Sequence, residues 1–284
     1  MNVRRTLPQR QRTLIGAWCF VDHYGPDPVD PETGMVVPPH PHTGLQTVSW
    51  LFSGEIEHRD SAGHHAFVRP GEVNLMTAGR GISHSEYSTP GTKQLHGAQL
   101  WLALPDAHRD VEPGFEHYAP PLMIGDGWVG QVFIGSLLGD TSPVQTYSPL
   151  VGAELHLEPG TRLTLGVDPA FEHGILLDRG VLRVDGKPLE RNGLGYIEPG
   201  ASTIELVAES DVLLLVLGGA PFGEQIVMWW NFIGREHDEV VEYRTRWQHL
   251  IEAGSDERFS LPGGDPLPPL PAPALPNARM VKRG

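Results

Sequence analysis

Two short stretches of this chain carry side chains that could hold a metal ion. "VVPPHPHTGLQTVSW", Val36 to Trp50, places His40 and His42 one residue apart beside an alternating apolar run. "GRGISHSEY" places His84 and Glu86 in the same relation. Side chains alternate across a β-strand, so residues i and i+2 share a face. Either pair alone is more often polar detail than a ligand pair. Two such pairs, each beside a Gly- or Pro-rich turn, can converge inside a small barrel. The joint reading is His40, His42, His84 and Glu86 around one divalent ion. Three neutral imidazoles and one carboxylate leave a net charge of about +1 on such a site. An octahedral first-row ion would keep two positions open for water, substrate or dioxygen. Iron, manganese, nickel and copper fit; zinc fits the donors but brings no redox chemistry.

Short β-like runs with frequent turns must position these residues. "LQTVSWLFSGEIEHRD" reads as a strand, a turn at Ser53–Gly54 and a returning strand. "HHAFVRPGEVNLMTAGRGISHSEYS" continues with strands about Pro70–Gly71 and a bend at Gly79 and Gly81, and "LHGAQLWLALP" is an apolar strand. With 34 Gly and 27 Pro among 284 residues, the composition suits an all-β sandwich or barrel. A second block with the same rhythm begins near Gln145. Setting Gly54 on Gly180 aligns "SWLFSGEIEHRD" with "ILLDRGVLRVDG", which suggests an internal repeat and two β-barrels in tandem. In that register the four ligand positions become Gly166, Asp168, Ser210 and Val212, so no metal is expected in the second barrel.

After Pro221 the pattern changes. Helical periodicity runs from Asp238 to Ile251, with Val240, Val241, Trp247 and Leu250 apolar and Gly254 as a stop. Seven prolines between Pro262 and Pro276 exclude a helix or an interior strand and predict an extended arm, disordered or laid on the surface. The expected division is an N-terminal metal-binding domain at 1–140, a C-terminal domain with its helix at 141–259, and a Pro-rich tail at 260–284.

The net charge of −14 argues against a nucleic-acid partner, and the basic start "MNVRRTLPQRQR" reads as a solvated arm. One cysteine, Cys19, excludes an intrachain disulfide and a multi-cysteine zinc site. There is no apolar run after the charged start and no run of membrane-spanning length, so a cytoplasmic protein without membrane contact is expected.

"HPHTGLQTVSWL", "MTAGRGISHSE" and "LHGAQLWLALP" closely resemble the pirin family, a branch of the cupins; "FVDHYGP" and "MWWNFIGREHDEV" are similar to bacterial pirin-like proteins. The resemblance runs from about Gly16 to Trp247. It implies a bicupin: two cupin barrels with one mononuclear metal, usually iron, in the first. The family's ligands fall on His40, His42, His84 and Glu86. Some pirins show quercetin 2,3-dioxygenase activity and others are regulatory binding partners. The leading expectation is therefore a metal-dependent dioxygenase taking a flavonol-like aromatic substrate and O2, with Glu86 accepting the proton of the substrate's enol hydroxyl. The alternative is a non-enzymatic, redox-sensitive regulator of a protein partner. Where many pirins carry a Glu four residues after the second His, this chain has Gln46, a change expected in the hydrogen bonding around the site rather than in the ligands.

Other side chains are read as supports. His58, Asp60 and His64 form a hairpin network, and Asp22 and His23 either orient a metal-bound imidazole or close a turn. Trp229 and Trp230 pack and Met76 is core, while the sequence leaves open whether His96, just before an apolar strand, lines the cavity mouth.

Overall fold

Burial with period two is the imprint of a strand that faces a core on one side. Ile56–Asp60 alternates buried and half-buried residues, and Thr203–Ala208 does the same. Val212–Gly219 is buried on both faces, as a strand between two cores must be. The computed structural model describes residues 2–29 and 34–284. The first barrel is built from β1 (Val3–Leu7), β2 (Trp18–Pro28), β3 (Val36–His42), β4 (Leu45–Ser53), β5 (Ile56–Asp60), β6 (His65–Val68), β7 (Val73–Thr77), β8 (Ile82–Ser88), β9 (Gln94–Ala103) and β10 (Gly114–Tyr118). They pair as a six-stranded sheet, β1-β2-β9-β4-β7-β10, and a four-stranded sheet, β3-β8-β5-β6.

The second barrel repeats this plan. Its strands are β11 (Met123–Gly125), β12 (Trp128–Ile134), β13 (Ser136–Leu137), β14 (Asp140–Thr141), β15 (Leu150–Leu157), β16 (Arg162–Gly166), β17 (Glu172–Arg179), β18 (Leu182–Val184), β19 (Lys187–Leu189), β20 (Leu194–Ile197), β21 (Thr203–Ala208) and β22 (Val212–Gly219). Its sheets are β11-β12-β15-β22-β17-β20 and β16-β21-β18-β19, beside the small β13-β14 ribbon. The fold is the expected all-β bicupin. Because β12 pairs with β15, the second barrel begins upstream of residue 140, where the sequence suggested the boundary.

Three local expectations change. Strands β4 and β5 do not form a hairpin: after the turn the chain crosses to the other sheet. The basic start is not a free arm, because β1 pairs with β2 and Arg5 Nε donates to Asp22 at 2.8 Å. Equating Gly54 with Gly180 is right at that turn, where both have φ +96°. Away from it the register drifts, chiefly because the β18–β19 hairpin is shorter than the β5–β6 hairpin. Strand pairing puts Leu165, Val167, Ile204 and Leu206, not Gly166, Asp168, Ser210 and Val212, opposite the positions of His40, His42, His84 and Glu86. All four are apolar, and Leu165, Ile204 and Leu206 lie within the second barrel's own core.

The two six-stranded sheets face each other across one shared apolar core. Trp18, Val48 and Trp50 come from the first barrel; Phe133, Ile134, Leu176, Leu215 and Leu217 come from the second. Trp50 stacks on Phe133 with ring centroids 4.6 Å apart, and the Trp18 indole N–H donates to the Gly218 carbonyl at 3.1 Å. On β4 this leaves Val48 and Trp50 facing the second barrel, and the residues between them facing the first barrel's interior.

Beyond the barrels come β23 (Val227–Trp229), β24 (Phe232–Gly234) and one helix, α1 (His237–Ala253). Glu236 and Glu239 form a capping box at its start, and Gly254 (φ +79°) closes it with its N–H on the Leu250 carbonyl. Its buried face is Val240, Tyr243, Trp247 and Leu250; Tyr243 takes the place expected for Val241. Trp229 and Trp230 pack against that cluster, and Met76 is buried as expected. The tail adds no helix or paired strand up to Arg279 and lies along the surface, with Phe259 and Ala272 inserted into the helix cluster. Among the described residues, no helix is long and apolar enough to cross a membrane.

The shared core predicts that the barrels support each other's stability. Phe133→Ala removes a fully buried ring and is expected to cost about 3–5 kcal/mol. Urea unfolding followed by tryptophan fluorescence measures this; a loss below about 1 kcal/mol would show that the interface carries little of the stability.

Candidate metal centre

The strands that carry the candidate ligands owe their shape to proline and glycine. Strand β3 is the edge of its sheet, and Pro38, Pro39 and Pro41 are tolerated there because an edge strand needs fewer N–H donors. A register shift between Val37 and His40 turns the two histidines inward. Before β8, Gly79 has φ +50°, and a Cβ there would stand 1.9 Å from the Val111 carbonyl oxygen. Only glycine fits that bend, which launches β8 between β3 and β5. His40 then lies directly opposite His84, while Asp60 and His58 lie opposite His84 and Glu86 from the other side.

The structure brings His40, His42 and His84 together, with ligand-capable atoms all within 4.8 Å of one another. The Nε2 atoms of His42 and His84 are 3.1 Å apart. Two nitrogens bound at right angles to one ion at about 2.1 Å would be about 3 Å apart, so the spacing fits a shared cation. His40 donates Nδ1–H to the Pro38 carbonyl at 3.0 Å, which frees its Nε2 lone pair. Glu86 falls in a second group, with His84 and His58, whose ligand-capable atoms also lie within 4.8 Å of one another; it shares His84 with the first group but is not grouped with His40 and His42. The Glu86 Oε1 atom is buried without a hydrogen-bond partner, as a carboxylate oxygen awaiting a cation or a proton would be.

Burial sets the protonation of the site. Desolvation lowers the His40 imidazole to about 4, despite the Pro38 bond that opposes it. Burial drives His42 and His84 well below the ordinary histidine value, with neighbouring imidazoles adding to the effect. All three are neutral at pH 7, the form a metal requires. Burial raises the Glu86 carboxyl, with His58 and the nearby Ser49 hydroxyl pulling the other way. The Tyr24 hydroxyl, buried and unpartnered, is also driven up by burial and by the Glu86 charge.

His58 does more than the sequence suggested. It keeps the expected network, with Nε2 3.3 Å from Asp60 and His64 Nδ1 3.0 Å from the same carboxylate. Its other nitrogen lies 3.3 Å from His84 Nδ1, on the side of that ring away from His42. An Asp–His pair thus braces the back of a candidate ligand. The signal was its parity with Asp60 on β5, which becomes informative only once β5 is known to flank β8.

Other expected residues lie elsewhere. Gln46 shares the parity of Val48 and Trp50 and donates to Thr77 Oγ1 at 2.9 Å and to the Gln145 carbonyl at 3.0 Å, away from the imidazoles. Asp22 pairs with Arg5, and neither it nor His23 closes a turn or bonds to the candidate ligand histidines. His23 and His96 instead converge between the barrels, each with Nε2 on Asp178 Oδ1, at 2.7 and 2.6 Å. His96 is therefore an interface residue rather than part of a cavity mouth.

Comparison with known proteins agrees with this architecture. Residues 1–102 match the family model described as Pirin, and residues 152–251 match the Pirin C-terminal cupin domain. A Pseudomonas aeruginosa protein provisionally named quercetin 2,3-dioxygenase is 43% identical over 277 residues, covering 97% of this chain and 86% of that one. A pirin-like protein of Caulobacter vibrioides is 34% identical, covering 87% of this chain and 88% of that one. The crystal structure of quercetin 2,3-dioxygenase from Acinetobacter baumannii superposes with a TM-score of 0.92 at 40% identity, covering 99% of this chain and 92% of that one.

The interface triad makes a pH-dependent prediction. Burial alone would raise the Asp178 carboxyl, but the bonds from His23 and His96 outweigh it and hold it well below the usual carboxylate range. A lowered acid contributes stability above its unfolded pKa of about 4 and loses it as pH falls toward the folded value. Asp178→Asn should therefore cost about 1.5–3 kcal/mol at pH 7. The gap to the parent protein should narrow by roughly 1 kcal/mol between pH 5 and pH 3. Urea unfolding at those pH values tests this, and a gap that does not change with pH refutes it.

Proposed function

The chain belongs to the pirin family, and from that premise we propose that it is a metal-dependent dioxygenase of the quercetin 2,3-dioxygenase type, acting on a flavonol-like phenol. The observation that carries this reading is the buried donor set: three imidazoles held neutral, beside a carboxylate oxygen that no protein group satisfies. The ligands are His40, His42, His84 and Glu86, and the ion is a single Fe(II) per chain; manganese, nickel, copper and zinc are alternatives the donors accept. When bound, a redox-active ion supplies the electron exchange that lets dioxygen combine with a closed-shell phenol.

The chain's own residues do the rest. Glu86 accepts the proton of the substrate's enol hydroxyl, a role suited to a carboxylate whose basicity burial has raised. The Pro38 carbonyl holds the His40 ring in one tautomer, and His58 with Asp60 braces His84. The packed apolar cluster of Tyr24, Leu51, Ile56, Val68 and Leu95 in the same barrel keeps water out of that part of the interior. The names of the 43%- and 40%-identical relatives support the substrate class.

The test combines metal analysis with turnover. Protein purified without added metal, then reconstituted separately with each ion, is expected to bind one equivalent and, with a redox-active ion, to bleach the quercetin absorption band only when oxygen is present. His84→Ala should weaken metal binding by more than the roughly 100-fold that disturbing a ligand's outer hydrogen bond can cost, and should abolish bleaching. Retention of metal by that variant refutes the ligand set. Absence of oxygen-dependent bleaching with every ion refutes the dioxygenase.

A further inference from the structure

His84 and Glu86 point into the barrel, so Ser83, Ser85 and Tyr87, which alternate with them on β8, point out. All three outward side chains end on the C-terminal segment. Ser83 Oγ donates to the Ser260 carbonyl at 2.5 Å, and the Tyr87 hydroxyl donates to Asp265 Oδ1 at 2.6 Å. The Ser85 hydroxyl donates to the other oxygen of the same Asp265 carboxylate. The neighbouring strands are held too. On the free edge of β3 the Pro39 carbonyl accepts the Leu270 N–H at 2.8 Å, and from β5 Arg59 donates to the Gly264 carbonyl at 3.0 Å. One stretch of eleven residues, 260–270, thus bonds to three of the four strands in the ligand-bearing sheet.

The stretch is fixed at both ends. Upstream, Phe259 is buried against Trp247, and a Cβ on Gly81 at the entry to β8 would stand 2.9 Å from Arg258 Cγ. Downstream, the Trp247 indole N–H donates to the Leu270 carbonyl at 2.8 Å, and Gln248 accepts the Ala272 N–H at 2.7 Å. The prolines restrict the free chain, so little entropy is lost on docking. The segment lies beyond both family-model matches, which end at residues 102 and 251.

We propose that Ser260–Leu270 is a strap that positions the metal ligands of β8, with Asp265 as its positioning residue. This rests on the metal reading above. A carboxylate that takes one hydroxyl on each oxygen, from residues i and i+2 of one strand, fixes the local twist of that strand. His84 and Glu86 leave the same strand in the opposite direction, and ligand geometry tolerates only about 0.5 Å of drift. Asp265 touches neither the ion nor the substrate; it acts through β8.

The experiment follows release of metal from the loaded full-length chain to a chelator. Asp265→Ala is expected to release metal about tenfold faster. Ser85→Ala combined with Tyr87→Phe cuts the same bonds from the other side and should match it, and combining all three should add little. A matched loss of melting temperature produced at the barrel interface, by Phe133→Leu, should leave the release rate unchanged. If Asp265→Ala does not fold, the Ser85/Tyr87 pair carries the test alone. A release rate within twofold of the parent in whichever of these variants folds overturns the strap, as does equal acceleration in the Phe133→Leu control. If the parent chain itself holds no stoichiometric ion, the metal reading fails first and the strap falls with it, an outcome visible before any variant is made.

Discussion

Everything around the site answers one electrostatic demand: three imidazoles must be packed together, buried, and kept neutral with their lone pairs converging. Water would satisfy them singly and scatter them. Burial removes the water and pushes each ring below the ordinary histidine range. Neutrality leaves each ring one N–H to place, and the fold provides outward partners where it can: the Pro38 carbonyl for His40, and His58 with Asp60 for His84. The Nε2 atoms of His42 and His84 are left facing each other. This requires β8 to run between two strands that each carry polar groups inward, which is why the four-stranded sheet, otherwise a small one, is reinforced from outside.

The second barrel shows the same scaffold relieved of that demand. Its sheets have the same strand order, and its counterpart positions hold Leu165, Val167, Ile204 and Leu206. An apolar interior needs no proton bookkeeping and packs to full density, so this barrel can serve as a rigid support. The support is delivered through β4, whose Trp50 stacks on Phe133 while Ser49, the next residue, faces the interior that holds Glu86. One strand therefore borders both the interface and the interior that holds the site.

Much of this was legible in the sequence, for reasons that are local. His40, His42, His84 and Glu86 stand out because i, i+2 spacing has a fixed meaning on a strand, and Gly79 marks a bend that only glycine makes. The tandem barrels are visible because both copies keep the left-handed glycine at Gly54 and Gly180. What could not be read is non-local. The crossing of β5 to the other sheet decides that His58 backs His84, and no periodicity within β5 encodes it. The drift of register between the barrels depends on a loop length, so an offset correct at one turn fails at the next strand. Asp22 and His23 looked like partners of one site, but alternation on β2 sends them to opposite faces, one to Arg5 and one to Asp178.

Gln46 illustrates how a residue can be conspicuous by position and yet answer to a different constraint. Four residues after His42, it sits where a carboxylate would invite assignment to the metal. Its parity on β4 is that of Val48 and Trp50, so its side chain belongs to the interface between the barrels. There an amide satisfies both Thr77 and the Gln145 carbonyl. A carboxylate in that buried position could not donate to the carbonyl and would bring an uncompensated charge into an apolar boundary. In this chain the amide fits its place between the two barrels, and the carboxylate grouped with a candidate ligand histidine is Glu86, supplied by the strand that the C-terminal segment holds in place.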